Sequence, residues 1–310
     1  MDGLLKTTFL QPSLTAVRAT SRSCPANVAS RQQMANDRFE ARLKRGELDV
    51  KVLELTREEL EAVPADQRSF YLFLGQLLNE VSMLQSLLFR SMKGMRGPRP
   101  VQETGLGMTL FLTRAICGRA WEAHSVINSR SNGKLLGALW GALPDDPRAQ
   151  HLRANAEAAR SRLNTQLGSG RSLMRLVRNK LAYHLDQDVL DAAFLSIPSD
   201  YQLADFHTGL RGTTFFGVAD TAAAAAVAQL IGTTDIETAV AEMIEAATAA
   251  IRDLQDFADG YLVAFYLAHF GIERLEAASS VRLSGLPEVE TASLGFYMAS
   301  KHQRRGAKPR

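Results

Sequence analysis

From about residue 66 to about 270, apolar side chains recur every three or four positions, the period of amphipathic helices. Phe70, Phe73, Leu74, Leu77, Leu78, Val81, Leu84, Leu87 and Leu88 predict a helix over about 66 to 92. GMRGPRP at 94 to 100 must end it, because proline lacks the amide donor a helix needs. A second helix is expected over about 107 to 130, through Phe111, Ala115, Cys117 and Trp121. PDDPR then offers Asp146 as N-cap and Pro147 in the first turn of a helix to about 167, broken by GSG at 168 to 170. Another follows over about 171 to 185, and 196 to 220 reads as loop from its proline, glycines and threonines. Helices over about 220 to 231 and 235 to 270 complete the pattern. The last opens on a capping box, Thr234 with Glu237, and carries a stripe from Ile236 and Val240 through Met243, Ile251 and Leu254 to Tyr261 and Phe265. VKVLEL at 50 to 55 is the only strand candidate. The class is therefore all-α: a helical bundle of about six to eight helices, with 34 to 300 as a single domain.

Composition narrows the setting. A chain of 310 residues, 46% hydrophobic and 22% charged, buries a sizeable core. Its longest apolar runs, TAAAAAVAQLI and YLVAFYLAHF, fall short of the roughly 18 residues of a bilayer span, so no transmembrane helix and no membrane partner are expected. Two cysteines, Cys24 and Cys117, exclude a disulfide framework or a Cys-rich zinc site and point to a reducing, cytoplasmic setting. Residues 1 to 33 have the Ser-, Thr- and Arg-rich composition of a transit peptide and no apolar period; a disordered leader or a mis-assigned start is expected, with Met34 opening the globular sequence. KHQRRGAKPR at 301 to 310 reads as a disordered basic tail that adds non-specific affinity for nucleic acid.

The net charge of +3 hides a segregation. Residues 148 to 184 hold eight Arg or Lys against Glu157 alone, whereas 185 to 300 hold seventeen acids against four arginines. The basic segment is either a solvated helix face that docks onto the acidic half or a phosphate-binding surface.

LVRNKLAYHLD at 176 to 186 ends that segment. On an α-helical wheel with Leu173 at zero, Val177, Leu181 and Met174 cluster at about 40° to about 100°, His184 falls inside them at about 20°, and Arg178 sits at their edge at about 140°. Two readings stay open. His184 is an ordinary core histidine at a helix end, or this face meets a second copy and the Arg178 and His184 of both copies line one pocket. Within one straight helix the two lie about 120° and about 9 Å apart, too far for a compact dyad.

RNKLAYH also fits an arginine followed by four to six residues and a histidine, with polar Asn179 directly after the arginine. In that motif and in the helical pattern from about 66 to 270 the chain resembles the HEPN superfamily. The resemblance implies an HEPN-like bundle, a dimer whose paired motifs form one site, and the metal-independent endoribonuclease activity of its toxin and abortive-infection members. It implies Arg178, His184 and Asn179 as catalytic residues, with Lys180, Arg175 and Arg171 holding substrate phosphates. RNA is then the substrate, a homodimer the assembly, an antitoxin or regulatory protein a further partner, and no cofactor or metal is needed. The residue types suit this chemistry, since histidine moves a proton near neutral pH and arginine holds developing phosphate charge, giving 2′,3′-cyclic phosphate and 5′-hydroxyl ends. A non-catalytic helical module that binds RNA, nucleotide or protein is the alternative.

RAWEAH at 119 to 124 spells a similar pattern without the polar residue and outside the basic segment, so the expectation rests on Arg178 and His184. Other signals are weaker. Glu122 and His124 have the wrong spacing for a di-metal bundle. Glu80, in a leucine-rich helix, is either an arginine's buried partner or a stripe-edge residue. GLG at 105 to 107 follows no strand and is no nucleotide fingerprint. His207 and Arg211 lie in what reads as a plain connector.

Overall fold

The computed structural model describes residues 48 to 93, 97 to 145, 147 to 182, 186 to 207 and 214 to 284, the side chains of Lys93 and Arg148 excepted. The leader, the basic tail, Asp146 as a cap, His184 and Arg211 lie outside the described residues.

The protein is predominantly helical. Among the described residues there are nine α-helices, against six to eight expected, and one two-stranded sheet. Chain order is β1 (Leu48–Val52), α1 (Arg57–Glu61), α2 (Ala65–Lys93), α3 (Arg99–Ile127), α4 (Arg130–Gly141), α5 (Pro147–Leu167), α6 (Leu173–Val177), a π-helical turn (Arg178–Ala182), α7 (Gln187–Leu195), α8 (Gly217–Ile231), α9 (Ile236–Glu276) and β2 (Ser279–Leu283). The strands pair antiparallel, Leu48 opposite Leu283 and Val50 opposite Val281. SSVRL, the partner of β1, carries too little apolar alternation to announce itself.

Several boundaries differ from expectation for identifiable reasons. α3 begins eight residues early, at Arg99, because Pro98 and Pro100 occupy its cap and first turn, where a missing amide donor does no harm. Gly105 and Gly107 are buried inside α3, and a Cβ on Gly107 would come within 2.5 Å of Asp220 Oδ2 and the Phe215 ring. The glycine therefore serves close packing against α8 and does not break the helix. α4 is masked in the sequence by its glycines, yet it buries Leu135, Leu136, Leu139 and Trp140. The capping box expected at Thr234 is replaced by Asp235, one residue nearer the helix, whose Oδ1 accepts from the Glu237 and Thr238 amides at 3.0 and 3.3 Å. A capping box does form at α1, between Thr56 and Glu59. α9 is broken at Gly271, where φ is +77°.

The described residues fall into two compact units. One comprises 48 to 71, 130 to 160 and 255 to 284. Its core is aromatic: Phe70 meets Tyr261 edge-on at 5.0 Å and Tyr71 stacks on Phe265 at 4.3 Å. Gly260 lets α9 approach α5, since a Cβ there would lie 2.8 Å from that of Ala156. Trp140 donates its indole N–H to Glu157 at 2.7 Å.

The other unit comprises 72 to 129 and 161 to 254. α3 is its central helix, packing against α6, the π turn and α8, and it buries Leu110, Ile116, Ala120 and Ile127. α2 adds Leu74, Leu77, Val81 and Leu88, spaced as an amphipathic stripe. Over Ala65–Met92 this helix is long and apolar enough, by length and composition, to cross a membrane, against the expectation of no such helix. Its buried stripe is already engaged within the protein. The opposite face is unusual in another way: every exposed position from 72 to 87, including Leu72, Phe73, Met83 and Leu87, is uncharged.

Candidate functional site

The segment expected to be one α-helix from 171 to 185 is instead a five-residue α6 followed by the π turn. The Asp186 amide donates to the Lys180 carbonyl, six residues back, at 3.2 Å, and Lys180 Nζ donates to Asp186 Oδ2 at 2.6 Å. These bonds stabilise a turn wider than the α spacing. Single π turns inside helical segments occur frequently at functional sites.

Burial along the segment follows the wheel. Met174, Val177 and Leu181 are 3%, 0% and 2% exposed, so the apolar face expected at a subunit contact is filled by the chain's own core. Arg178 is half-buried at the rim, and its Nη1 donates to Asn179 Oδ1 at 3.1 Å. Arg175 places its guanidinium carbon 5.4 Å from the centre of the Trp121 ring, a cation–π contact. Lys180 is tied to Asp186, and its hydrogen bond holds that carboxyl below the usual range. Arg171 is exposed, its amide donating to Ser169 Oγ.

Arg178 opens onto a cleft of about 510 Å³. α2 contributes Phe73, Gln76, Leu77 and Glu80; α3 contributes Arg119, Trp121 and Glu122. Arg119 joins the two carboxylates, Nε to Glu80 Oε2 at 2.7 Å and Nη1 to Glu122 Oε2 at 2.6 Å. Gln76 Nε2 donates to the other oxygen of Glu80 at 3.1 Å. Of the two options for Glu80, the structure selects the arginine's partner. The arginines of both candidate motifs thus share one cleft.

Their histidines differ. His184 lies outside the described residues. His124 is 6% exposed, in the last turn of α3, with Nε2 3.3 Å from Asn164 Oδ1. A carbonyl oxygen only accepts, so Nε2 carries the proton, and Nδ1 is buried without a hydrogen-bond partner. Burial holds this imidazole below its ordinary pKa of 6.5, with the Asn164 bond opposing. His124 is a neutral core histidine, although Arg119 of the same motif reaches the cleft.

The basic segment is engaged by the fold at several points. Arg162 Nε donates to Asp253 Oδ1 at 2.7 Å and Gln166 Nε2 to Oδ2 at 2.8 Å, with Asp253 wholly buried. Docking onto the acidic half is thus what the structure shows at Arg162. Within the cleft, Arg119 and Arg178 face Glu80 and Glu122, a balanced set. Arg114 and Asp220 form a further pair at 3.9 Å, where burial lowers the arginine's pKa and raises the carboxyl's. Cys117 is wholly buried and its thiol is pushed up to about 12, which removes it as a nucleophile. Among the described residues no group of three or more His, Cys, Asp or Glu is placed to hold a metal ion. His207, in the connector, directly follows Phe206, which forms an antiparallel bridge with Phe215, and Asp205 Oδ1 accepts from the Val218 amide at 3.1 Å.

Of the residues expected at the site, Arg178 lines the cleft, Asn179 is bonded to it and Arg175 lies on the Trp121 ring; Phe73, expected only as a core stripe position, and Glu122, set aside as a metal ligand, line the cleft too, and Gln76 gives no signal in the sequence. A lone carboxylate in a leucine-rich stripe, Glu80, is the signal that leads to them. No family model matches the chain, and no curated protein or solved structure matches it.

Proposed function

We propose that this protein is a metal-independent endoribonuclease of HEPN type, with Arg178, Asn179 and His184 as its reacting groups and RNA as its substrate. One observation carries the reading: the motif arginine stands on a π turn at the rim of a cleft of about 510 Å³ whose walls include the aromatic residues Phe73 and Trp121. That volume is within the range of small-molecule sites, and aromatic walls suit unstacked bases. In the proposed reaction a substrate 2′-hydroxyl attacks the adjacent phosphate while its proton passes to His184. Arg178 holds the charge that develops on the phosphoryl oxygens, and His184 passes the proton on to the departing 5′-oxygen, which leaves as a hydroxyl.

The proposed assembly is a homodimer, regulated in the cell by an antitoxin or similar protein. Because Met174, Val177 and Leu181 are buried within one chain, the dimer contact is assigned to the uncharged face of α2 around Leu72, Met83 and Leu87, which leaves Phe73 to the cleft. A two-fold contact sets each surface against its own image, so a charged face would repel itself and an uncharged one, here Leu72, Met83 and Leu87 among Gln, Asn and Ser, does not.

A second reading, a non-catalytic nucleotide- or RNA-binding module, is favoured by the balanced charges of the cleft, since Arg119 is already paired with two carboxylates. Incubation of the purified protein with mixed single-stranded RNA in EDTA separates the two. Expected results are cleavage to 2′,3′-cyclic phosphate ends, abolished by His184→Ala, impaired by Arg178→Lys and retained by His124→Ala. RNA that is bound and left intact favours the module. Cleavage indifferent to both Arg178→Lys and His184→Ala removes this site.

A further inference from the structure

We infer that the cleft beside Arg178 is a nucleobase subsite that selects guanine, and that Glu122 is the residue that reads it. The inference rests on the reading of RNA as the substrate, and the experiment below distinguishes failure of one from failure of the other. Three features of the cleft lead there. The first is its charge. Glu80 and Glu122 form part of the wall, and carboxylates repel phosphate, so the part of a nucleotide that faces them must be the base. Phosphate is left to Arg178 at the rim, whose guanidinium matches phosphoryl oxygens.

The second feature is what the carboxylates still accept. Glu80 accepts from Gln76 on Oε1, and its Oε2, paired with Arg119 by charge, is buried and so out of a ligand's reach. Glu122 receives Arg119 on Oε2, and a carboxylate has about four acceptor sites, so it retains capacity for further donors. Its side chain is 29% exposed, which leaves it within reach of a ligand. The Arg119 bridge holds the group in place, so little side-chain freedom is lost on binding. Guanine presents two neighbouring donors, N1–H and the 2-amino group, on its Watson–Crick edge, and a carboxylate accepts such a pair with two parallel bonds. Adenine and cytosine offer a single amino group beside an acceptor, and uracil offers one N–H between two carbonyls. An acceptor-only group therefore ranks guanine first.

The third feature is aromatic. Phe73 is 49% exposed on the cleft wall, a large apolar ring open to solvent. Stacking on such a ring is tolerant of base identity, so Phe73 supplies affinity and Glu122 supplies choice.

The test is titration of the full chain with guanosine, adenosine, cytidine and uridine, and with guanosine 5′-monophosphate, followed by calorimetry. Guanosine is expected to bind about tenfold or more tighter than the other nucleosides, the discrimination of one bidentate pair. Glu122→Gln, which sets an amide donor against a donor edge, should bring the four nucleosides within about twofold of one another. Phe73→Ala should weaken all four together, and Arg178→Lys should weaken the monophosphate while sparing guanosine. Circular dichroism confirms that each variant is folded. Equal affinities in the unaltered protein overturn the inference, a comparison that needs no variant; so does a guanine preference that survives Glu122→Gln. RNA cleavage without guanine preference leaves the ribonuclease and removes the subsite. Guanine selectivity without cleavage does the reverse.

Discussion

Asp253 and Arg162 are two ends of one ion pair with opposite surroundings, and the difference predicts unequal consequences when each end is removed. Asp253 is 0% exposed and Arg162 is 46% exposed, their nearest atoms 2.7 Å apart. Removing Arg162 strands a carboxylate in the core, with Gln166 at 2.8 Å and Arg252 at 3.9 Å as its remaining polar support. Breaking a buried pair from one side usually costs about 3 to 5 kcal/mol, and those remaining partners place Arg162→Met near the lower end, about 3 kcal/mol. Removing the charge of Asp253 strands a guanidinium that is already half in water. Asp253→Asn keeps the shape and a carbonyl for Arg162, and Gln166 can turn its amide so that its oxygen accepts from the new NH2, so it should cost about 1 kcal/mol, the difference between a charged and a neutral hydrogen bond. Urea unfolding, compared at equal m-values, measures both. For the larger loss the melting temperature should fall by roughly 6 to 12 °C. If Arg162→Met were no more destabilising than Asp253→Asn, the carboxylate would not be held in a dry core, and the docking of the basic segment would need another explanation.

Two more outcomes follow from the same structure. Burial keeps the folded pKa of His124 below its ordinary 6.5, as it does for His269, so their contribution to stability is present above that value and lost as pH falls through the folded pKa. The melting temperature should therefore drop between about pH 7.5 and about pH 5, and His124→Gln, which keeps a donor for Asn164, should make that drop shallower; an unchanged slope would show that the ring is not desolvated. For the proposed dimer, Leu72→Asp with Met83→Asp should yield a monomer by sedimentation with helicity intact, because both side chains are exposed, at 55% and 65%; a dimer that persists moves the contact off α2.

What the sequence discloses and what it hides divide along physical lines. A helix buried on one face writes its period into the chain, so α2 is expected at 66 to 92 and found at Ala65–Lys93, and Pro147 opens α5 as PDDPR suggests. α4 escapes the pattern because glycines at 133, 137 and 141 read as breakers, although tertiary packing of its leucines and Trp140 overrides that propensity. The π turn is illegible for a different reason: it is a choice of hydrogen-bond register, and RNKLA has the same residues whichever register it takes. The wheel nonetheless puts Arg178 at the edge of the apolar face, and there it is, half-buried on the cleft. The cleft itself needs α2 to be laid beside α3. Glu80 and Arg119 are thirty-nine positions apart in the chain and 2.7 Å apart in space, a pairing no periodicity encodes.

The charge segregation now has a narrower meaning. Eight basic residues between 148 and 184 suggest a continuous surface for a phosphate backbone. In the structure Arg162 goes to Asp253, Lys180 to Asp186, Arg160 to Glu157, and Arg175 to the Trp121 ring. Side chains so engaged contribute little to counterion release, which requires cations set along successive phosphates. Basic character that in the sequence looks like affinity for nucleic acid is, at these positions, part of what holds the fold. On the proposed reading, recognition at the Arg178 cleft rests on contacts of a different kind: one guanidinium at the rim for a single phosphate, a carboxylate for a donor edge, and exposed aromatic surface for a base. A site of that proposed kind would gain little from the length of its ligand and much from the identity of one nucleotide, the behaviour that the guanosine titration and the cleavage assay together test.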